Sequence, residues 1–417
     1  MSQLPHYFQF KIITIFLLGI SSGLPLALSG SALALMLLES GVDIAKISLF
    51  GLASTPYAFK YLWSPLVDNL RIPILSKLLG RRRSWLLLTQ ALLTVVILFV
   101  GLQVNISENL FFIGISILTL SFLSATQDII IDAYRIEILS EEDQGMGVAT
   151  AVLGYRVGML LSGAGSLYLA HFFGWKIAYC TIGSLILPGL IAAFLYGEPI
   201  NDQAKPVESG LINWFSHAFI KPFLEFIGRQ NWILILLFIM LYKLSDAYLS
   251  MMTTPFLVEI GFSKLEIANI IKIYGFIAMS CGMFVGGYLL KSYKNSYSLL
   301  AFGLILESLS NLAFLVQSLY GHDNMILTFV ISVENLCSGI STAMLVAYIS
   351  NMVNKEFTAT SYALLTSFVA VGRATLSSSA GSMTLLLGWT NFFIFTSLLS
   401  LPAFICLYYL YHKNKKQ

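Results

Sequence analysis

Apolar residues gather along the chain into twelve runs, near 10–38, 44–66, 84–103, 110–133, 146–170, 175–196, 231–254, 265–290, 296–318, 325–351, 358–386 and 389–411. In lipid a backbone has to satisfy its own hydrogen bonds, and a helix of roughly 20 apolar residues is long enough to cross the hydrocarbon core. The pattern predicts an all-α membrane protein with twelve transmembrane helices. The single long polar break, from about 197 to 230, divides them six and six, giving an N-terminal bundle (1–200), a linker (201–230) and a C-terminal bundle (231–417). Within the linker Trp214, Phe215, Phe219, Phe223 and Phe226 recur at near-helical spacing, which predicts an amphipathic segment lying on the membrane surface. The first run lacks a basic leader and is too long for the apolar region of a signal peptide, so it is expected to remain as the first spanning helix.

Composition supports lipid as the solvent. With 57% hydrophobic and 11% charged residues, the chain has too little polar surface to cover a soluble globule of 417 residues. The net charge of +3 is small but unevenly placed. If both termini are cytoplasmic, loops and tails on that side hold fifteen Lys or Arg, the opposite side holds three (Lys46, Lys176, Lys264), and the other six of the 24 lie in helices. This bias orients the protein by the positive-inside rule, and a basic cytoplasmic face leaves no reason to expect nucleic acid as a partner. Cys180, Cys281, Cys337 and Cys406 lack disulfide-framework or metal-ligand spacing, and no nucleophile–base pair stands out. No cofactor, metal or enzymatic activity is expected, and the chain is expected to act as a monomer. None of the five histidines falls mid-membrane, so a proton-handling group in the core has to be a carboxylate.

The two halves match each other. Leu37, Glu39, Gly41 and Ile47 recur 220 positions later as Leu257, Glu259, Gly261 and Ile267. Ala133-Tyr134, Gly158, Gly174-Trp175 and Pro188 recur 214 positions later as Ala347-Tyr348, Gly372, Gly388-Trp389 and Pro402. Two parallel six-helix repeats are the organisation of the major facilitator fold, which places its substrate near the midplane between repeats.

Six ionisable residues lie deep in apolar runs: Asp128, Arg156, Lys243, Asp246, Glu334 and Arg373. Charge at that depth is costly and marks functional candidates. Asp128, Asp132 and Arg135 follow i, i+4, i+7 spacing and form one polar stripe on the fourth helix. Asp128 is the deepest, and a carboxylate away from water there can take up and release a proton; Glu334 is a second proton-coupling candidate. Asp132 and Arg135 are gating candidates, or simply pair with each other. Arg156 sits near the midplane with no acid within a helical turn of it in the sequence, and Arg373 lies at comparable depth in the eleventh helix. Their guanidinium groups suit carboxylates of a cargo. Lys243 and Asp246, at i, i+3, are also assigned to substrate, the alternatives being mutual neutralisation of Lys243 with Asp246 and of Arg373 with Glu334. Glu307 and Lys272, on adjacent helices, read as a packing pair.

Ser64-Pro65-Leu66-Val67-Asp68 followed by Gly80-Arg81-Arg82-Arg83 resembles the major facilitator signature G-x-x-x-D-[RK]-x-G-[RK]-[RK], with a longer spacer. An acid at a helix end and a basic cluster can pair with neighbouring helix termini in one transport state and release in the other. Asp68, Arg81 and Arg82 are gating candidates on this ground, against the alternative of a fixed positive-inside anchor. Glycines at 154, 158, 163 and 165, and at 282, 286 and 287, have small-xxx-small spacing for close helix packing, and Gly23-Leu24-Pro25 is expected to kink the first helix.

Taken together the chain resembles the AmpG-type muropeptide permeases of the major facilitator superfamily. The matching stretches are Ser22-Gly23-Leu24-Pro25, Phe59 to Pro65, Gly80 to Gln90, Gln127 to Arg135, Gly154-Tyr155-Arg156, Leu241 to Ala247 and Phe357 to Leu364. The resemblance implies proton-driven import of anhydro-muropeptides, sugar–peptide fragments of the cell wall, across a bacterial inner membrane for peptidoglycan recycling. The chain is expected to lack the extra C-terminal helices that some members carry, and the second-half copy of the basic loop has decayed to Gly286-Gly287 with Lys291 and Lys294. Competing functions are transport of another polar anionic cargo, acetyl-coenzyme A or peptide, and multidrug export; the cavity cations weigh against lipophilic drugs.

The basic bias predicts a definite topology. Reporter fusions are expected to place Asn105 and His322 outside and Lys205 and Lys413 inside; finding either lysine outside overturns it.

Overall fold

In a computed structural model the chain is described at residues 10–42, 50, 55–103, 109–199, 220–293 and 295–414, helical with no strand among them. The helices in chain order are α1 (Phe10–Ser29), α2 (Ser31–Glu39), α3 (Thr55–Phe59), α4 (Ser64–Asn69), α5 (Leu75–Leu79), α6 (Arg81–Gly101), α7 (Leu110–Ile138), α8 (Gln144–Leu160), α9 (Ser166–Ser184) and α10 (Leu187–Tyr196). The second half supplies α11 (Lys221–Ile227), α12 (Trp232–Tyr242), α13 (Leu244–Glu259), α14 (Lys264–Asn269), α15 (Gly275–Ser292), α16 (Ser296–Tyr320), α17 (Asn324–Asn351), α18 (Thr358–Leu376), α19 (Ala380–Leu398) and α20 (Leu401–Asn414). Trp214, Phe215 and Phe219 of the expected amphipathic segment lie outside the described residues; Phe223 and Phe226 are on α11.

Nine described stretches are long and apolar enough to cross a membrane. One of them, Glu141–Tyr196, runs 56 residues and turns at Gly174 (φ 81°, ψ 162°), so it makes two crossings. Gly388 (φ 69°, ψ 164°) makes the same turn in the second half. The sequence repeat is therefore also a backbone repeat. It recurs in the caps: Gly41 (φ 77°) and Gly261 (φ 98°) end α2 and α13 alike. Val42 N donates to Leu37 O and Phe262 N to Leu257 O, both at 3.0 Å, the bond that closes a helix through a left-handed glycine.

The chain forms two compact units. The first comprises Met1–Ser140, Thr150–Pro222 and Val353–Ala363; the second comprises Glu141–Ala149, Phe223–Met352 and Leu364–Gln417. In the first, α1 packs on α7, α8 and α10, and α6 on α7 and α9. Leu24, Leu28, Leu93, Ile97, Ile117 and Tyr179 fill one part of its core. In the second, α15 and α16 pack on α17, and Phe256, Phe314, Phe392 and Phe393 stack beneath Trp389.

Glycines set the closest approach in the first unit. A Cβ at Gly19 or Gly23 of α1 would strike the carbonyl of Ala151 or Tyr155, and one at Gly154 or Gly158 of α8 would strike that of Phe16 or Ile20. Arg156, two residues from each α8 glycine and so about 200° round the helix, is turned away from α1. Gly163 and Gly165 behave differently from expectation: they lie in a π-helical turn, Leu161–Gly165, where a Cβ meets nothing closer than 3.8 Å. The expected kink is also displaced. Pro25 is inside α1, and the helical path breaks five residues on at Gly30 (φ −116°, ψ −105°).

Candidate functional site

A densely bonded charged group of the first unit is Asp68, on α4. Its side chain is fully buried, and four donors converge on it. Arg82 Nη2 donates to Oδ1 at 2.8 Å, and the amide of Ala359 to the same oxygen at 3.1 Å. The amide and hydroxyl of Thr360 both donate to Oδ2, at 2.8 and 2.7 Å. Ala359 and Thr360 are in the first turn of α18, whose leading residues belong to this unit. First-turn amides have no intrahelical acceptor and carry the positive end of the helix dipole, so a buried carboxylate is their natural cap. Arg82, itself 1% exposed, continues the network to Glu137 of α7 through Nε (3.2 and 3.0 Å) and Nη2 (2.5 Å), and Arg81 Nη1 donates to the Asp68 carbonyl.

One stripe higher on α7 the surroundings change. The helix continues to Ile138, beyond the expected end near 133, so Asp128, Asp132 and Arg135 are all helical. Arg135 Nη2 is 3.6 Å from Asp132 Oδ1, and its guanidinium lies 5.5 Å from the Tyr362 ring. Asp128 is half-buried and accepts from Ser22 Oγ of α1 at 2.5 Å. Tyr57 of α3 and Tyr155 of α8 lie within its electrostatic reach, and Lys60 acts on both Asp128 and Asp132. Four helices thus converge on one carboxylate that accepts from a hydroxyl.

In the second unit Lys243 marks a break between α12 and α13 (φ −102°, ψ 16°). It lies near the middle of the 28-residue stretch Trp232–Glu259, hence near the midplane of that crossing. Its Nζ makes its tightest contact with Glu307 of α16, bonds Ser338 Oγ at 3.2 Å, and is 3.7 Å from Asp246. Of the expected Glu307–Lys272 packing pair, the Lys272 side chain lies outside the described residues, and Glu307 meets Lys243. Asp246 also accepts from Ser338 Oγ at 3.1 Å. One turn along α13 from Asp246, Ser250, with Ala247, Met251, Thr366, Ala370 and Ser377, lines a cavity of about 570 Å³. Glu334 accepts from Asn335 Nδ2 at 2.5 Å. Arg156 is half-buried on α8; the Arg373 side chain lies outside the described residues. No cluster of metal-ligating side chains occurs among the described residues.

The Major Facilitator Superfamily profile matches residues 15–306 and 244–417. The chain is 39% identical over 404 residues to the transporter AmpG 4 of Rickettsia conorii, covering 96% of this chain and 97% of that one. It is 37% identical over 393 residues to the anhydromuropeptide permease of Escherichia coli K12, covering 94% of this chain and 78% of that one. The chain belongs to the AmpG-type permeases of the major facilitator superfamily. In fold it is similar to the Escherichia coli fucose:proton symporter (TM-score 0.69, 13% identity, 96% of this chain and 97% of that one) and to the human organic anion transporter MFSD10 (0.64, 17%, 95% and 97%). At those identities the likeness establishes the fold: two six-helix repeats of the major facilitator type.

Several residues of these clusters were not singled out from sequence. Glu137 was not singled out, Ser22 and Lys60 lie in stretches that carry the family resemblance but were given no role, and Glu307 was placed with a different partner. Each is found only through a helix far away in the chain. Asp246, by contrast, is at i+3 from Lys243 and legible from spacing.

The Lys243–Glu307 contact is open to a double-mutant cycle. Lys243→Met or Glu307→Gln alone strands a buried charge, so each is expected to destabilise the protein by several kcal/mol, about 3–5 in comparable cases, and the double variant to recover at least about 1 kcal/mol. Thermal unfolding in detergent measures this, and strictly additive losses would refute the pairing.

Proposed function

We propose that the protein is a proton-coupled importer of anhydro-muropeptides, lying in a bacterial inner membrane with both termini cytoplasmic. Identity of 37–39% to AmpG-type permeases along nearly the whole chain carries the cargo class. The Asp128 cluster carries the coupling. A half-buried carboxylate in a membrane-spanning helix, bonded to the hydroxyl of Ser22 and within electrostatic range of Lys60, has what a proton carrier needs: limited contact with water, a neutral hydrogen-bond partner, and a nearby cation. One charge moving down 100 mV supplies about 2.3 kcal/mol, enough to bias one step of the cycle.

Arg156 is assigned to a carboxylate of the cargo. Its place on the α8 face turned away from α1 keeps it clear of the closest helix contact, and its planar fork suits two-point recognition. Arg373 is assigned the same chemistry. Asp246, adjoining the cavity on α13, offers the opposite charge to an ammonium group of the peptide, with Lys243 held on Glu307. Glu334 is a secondary proton-handling group. Asp68, Arg81 and Arg82 form a lock on the first turn of α18, with Asp132 and Arg135 beside Tyr362; the lock closes when the carrier faces outward and opens when it faces inward.

Proteoliposomes loaded with a proton gradient test the assignment directly. Wild type is expected to accumulate purified anhydro-muropeptide only with the gradient. Asp128→Asn is expected to abolish accumulation while preserving gradient-independent exchange of cargo. Full accumulation by that variant would remove Asp128 from the coupling role.

For Arg156→Lys, which keeps the charge and loses the fork, cargo affinity is expected to fall about tenfold or more, since one charge-assisted hydrogen bond is worth about 1.5–3 kcal/mol. Amidated cargo is expected to be affected less than the fully charged peptide. Equal losses for both cargoes would make Arg156 structural.

A further inference from the structure

Both described ends of the segment joining the halves of the sequence are tied to the Asp68 network. At the leading end Glu198 Oε1 accepts from the amide of Arg82 at 2.7 Å, and Oε2 from the amide of Arg83 at 3.0 Å. These are first-turn amides of α6, without intrahelical acceptors, so Glu198 caps α6 from 115 residues away. The backbone is shaped for it. Gly80 (φ 86°) leads into α6 in a left-handed conformation, and a Cβ there would collide with the Glu198 side chain. Two further contacts fix the approach: the Tyr134 hydroxyl donates to the Gly197 carbonyl at 2.7 Å, and the Arg83 guanidinium lies 5.0 Å from the Phe194 ring centroid.

At the trailing end Lys221 Nζ is 3.0 Å from Glu356 Oε1 and 5.5 Å from the Phe357 ring centroid. Glu356 and the buried Phe357 immediately precede the turn of α18 that Asp68 caps. The two ties therefore rest on the two partners of Asp68: Arg82, whose own amide Glu198 binds, and the first turn of α18, which Lys221 approaches through Glu356.

We propose that Glu198 and Lys221 are positioning residues of the Asp68 lock, through which the ends of the linker set how firmly the lock closes. Glu198 fixes the first turn of α6 and with it the aim of the Arg82 guanidinium; Lys221 steadies the residues leading into α18. Glu198 carries the larger share. Its bonds are charge-assisted and go to backbone amides, whereas the Lys221–Glu356 pair is solvent-facing, with 46% of the lysine side chain exposed, and such pairs contribute little. The inference rests on reading Asp68 as a lock.

Hydrogen exchange on the purified full chain separates the two claims. Asp68→Asn is expected to raise exchange of the amides of Ala359 and Thr360; if it does not, the lock reading fails. Glu198→Gln touches neither amide, yet is expected to raise their exchange about tenfold, the effect of one charge-assisted hydrogen bond on a local opening. A capping role confined to α6 would raise exchange at Arg82 and Arg83 alone, and that result, with Asp68→Asn behaving as expected, overturns the proposal for Glu198. Lys221→Glu is expected to raise exchange at Ala359 and Thr360 about two- to threefold, with Lys221→Glu/Glu356→Lys restoring it; no change in the single variant removes Lys221. Unchanged protection in α16 controls for general unfolding.

Discussion

A carboxylate withdrawn from water has to be met by donors, and Asp68 is met by four of them. Without Arg82 and the amides of Ala359 and Thr360, its burial would cost several kcal/mol. That requirement orders much of the first unit. Arg82 is as buried as its partner, so its remaining donors need acceptors, and Glu137 of α7 and the Val67 carbonyl provide them. Glu198 then caps the amides beside it. The result is a chain of satisfied charges through α4, α6, α7 and the first turn of α18. Each member is held because the next would otherwise be stranded.

The second unit handles charge by a different device. Lys243 breaks its helix near the midplane and places one ammonium among Glu307, Asp246 and Ser338. A discontinuous helix frees backbone polar groups and needs side chains or cavity to satisfy them. The break is thus tied to the cluster that fills it, and the cavity beginning one turn along α13 adjoins both. The repeats share caps and turns, Gly41 with Gly261 and Gly174 with Gly388, but have diverged in where they bury charge. The ends that close each repeat are kept by backbone geometry; the interiors are free to specialise.

The features legible in the sequence are those with a short period. Apolar runs gave the crossings, the positive-φ glycines recur at their two offsets, and the i, i+4, i+7 stripe on α7 is a stripe in space. Small residues at four-residue spacing marked the α1–α8 approach at Gly154 and Gly158. The same rule misread Gly163 and Gly165: the π turn that holds them packs on α1, but a Cβ at Gly163 would sit 3.8 Å from Ala27, ordinary contact and no clash. Pro25 was expected to kink α1, yet the break is at Gly30, five residues on. Charge partners were the least legible. Spacing rules see i+3 and i+4, so they found Asp246 for Lys243; Glu307, 64 positions away, is closer. Glu137 and Glu198 were hidden for the same reason, each meeting Arg82 or its amide across more than 50 residues of sequence.

The contrast between Asp68 and Asp128 explains how two acids of one unit can serve different steps. Asp68 is surrounded by a guanidinium from α6 and by two amides and a hydroxyl from the first turn of α18, and those last three are lost together if that turn leaves. It is suited to a contact that is made or broken as a whole. Asp128 has the Ser22 hydroxyl, which can donate to a carboxylate or accept from a carboxylic acid, so its hydrogen bond survives a change of protonation. Lys60 supplies a counter-charge that acts on it electrostatically. A group that keeps its partner in both protonation states can exchange its proton without rearranging the helices around it. We therefore read the first acid as tied to conformation and the second to the proton; between them runs the α7 stripe, where Arg135 lies 3.6 Å from Asp132 and 5.5 Å from the ring of Tyr362 on α18, the helix whose first turn caps Asp68.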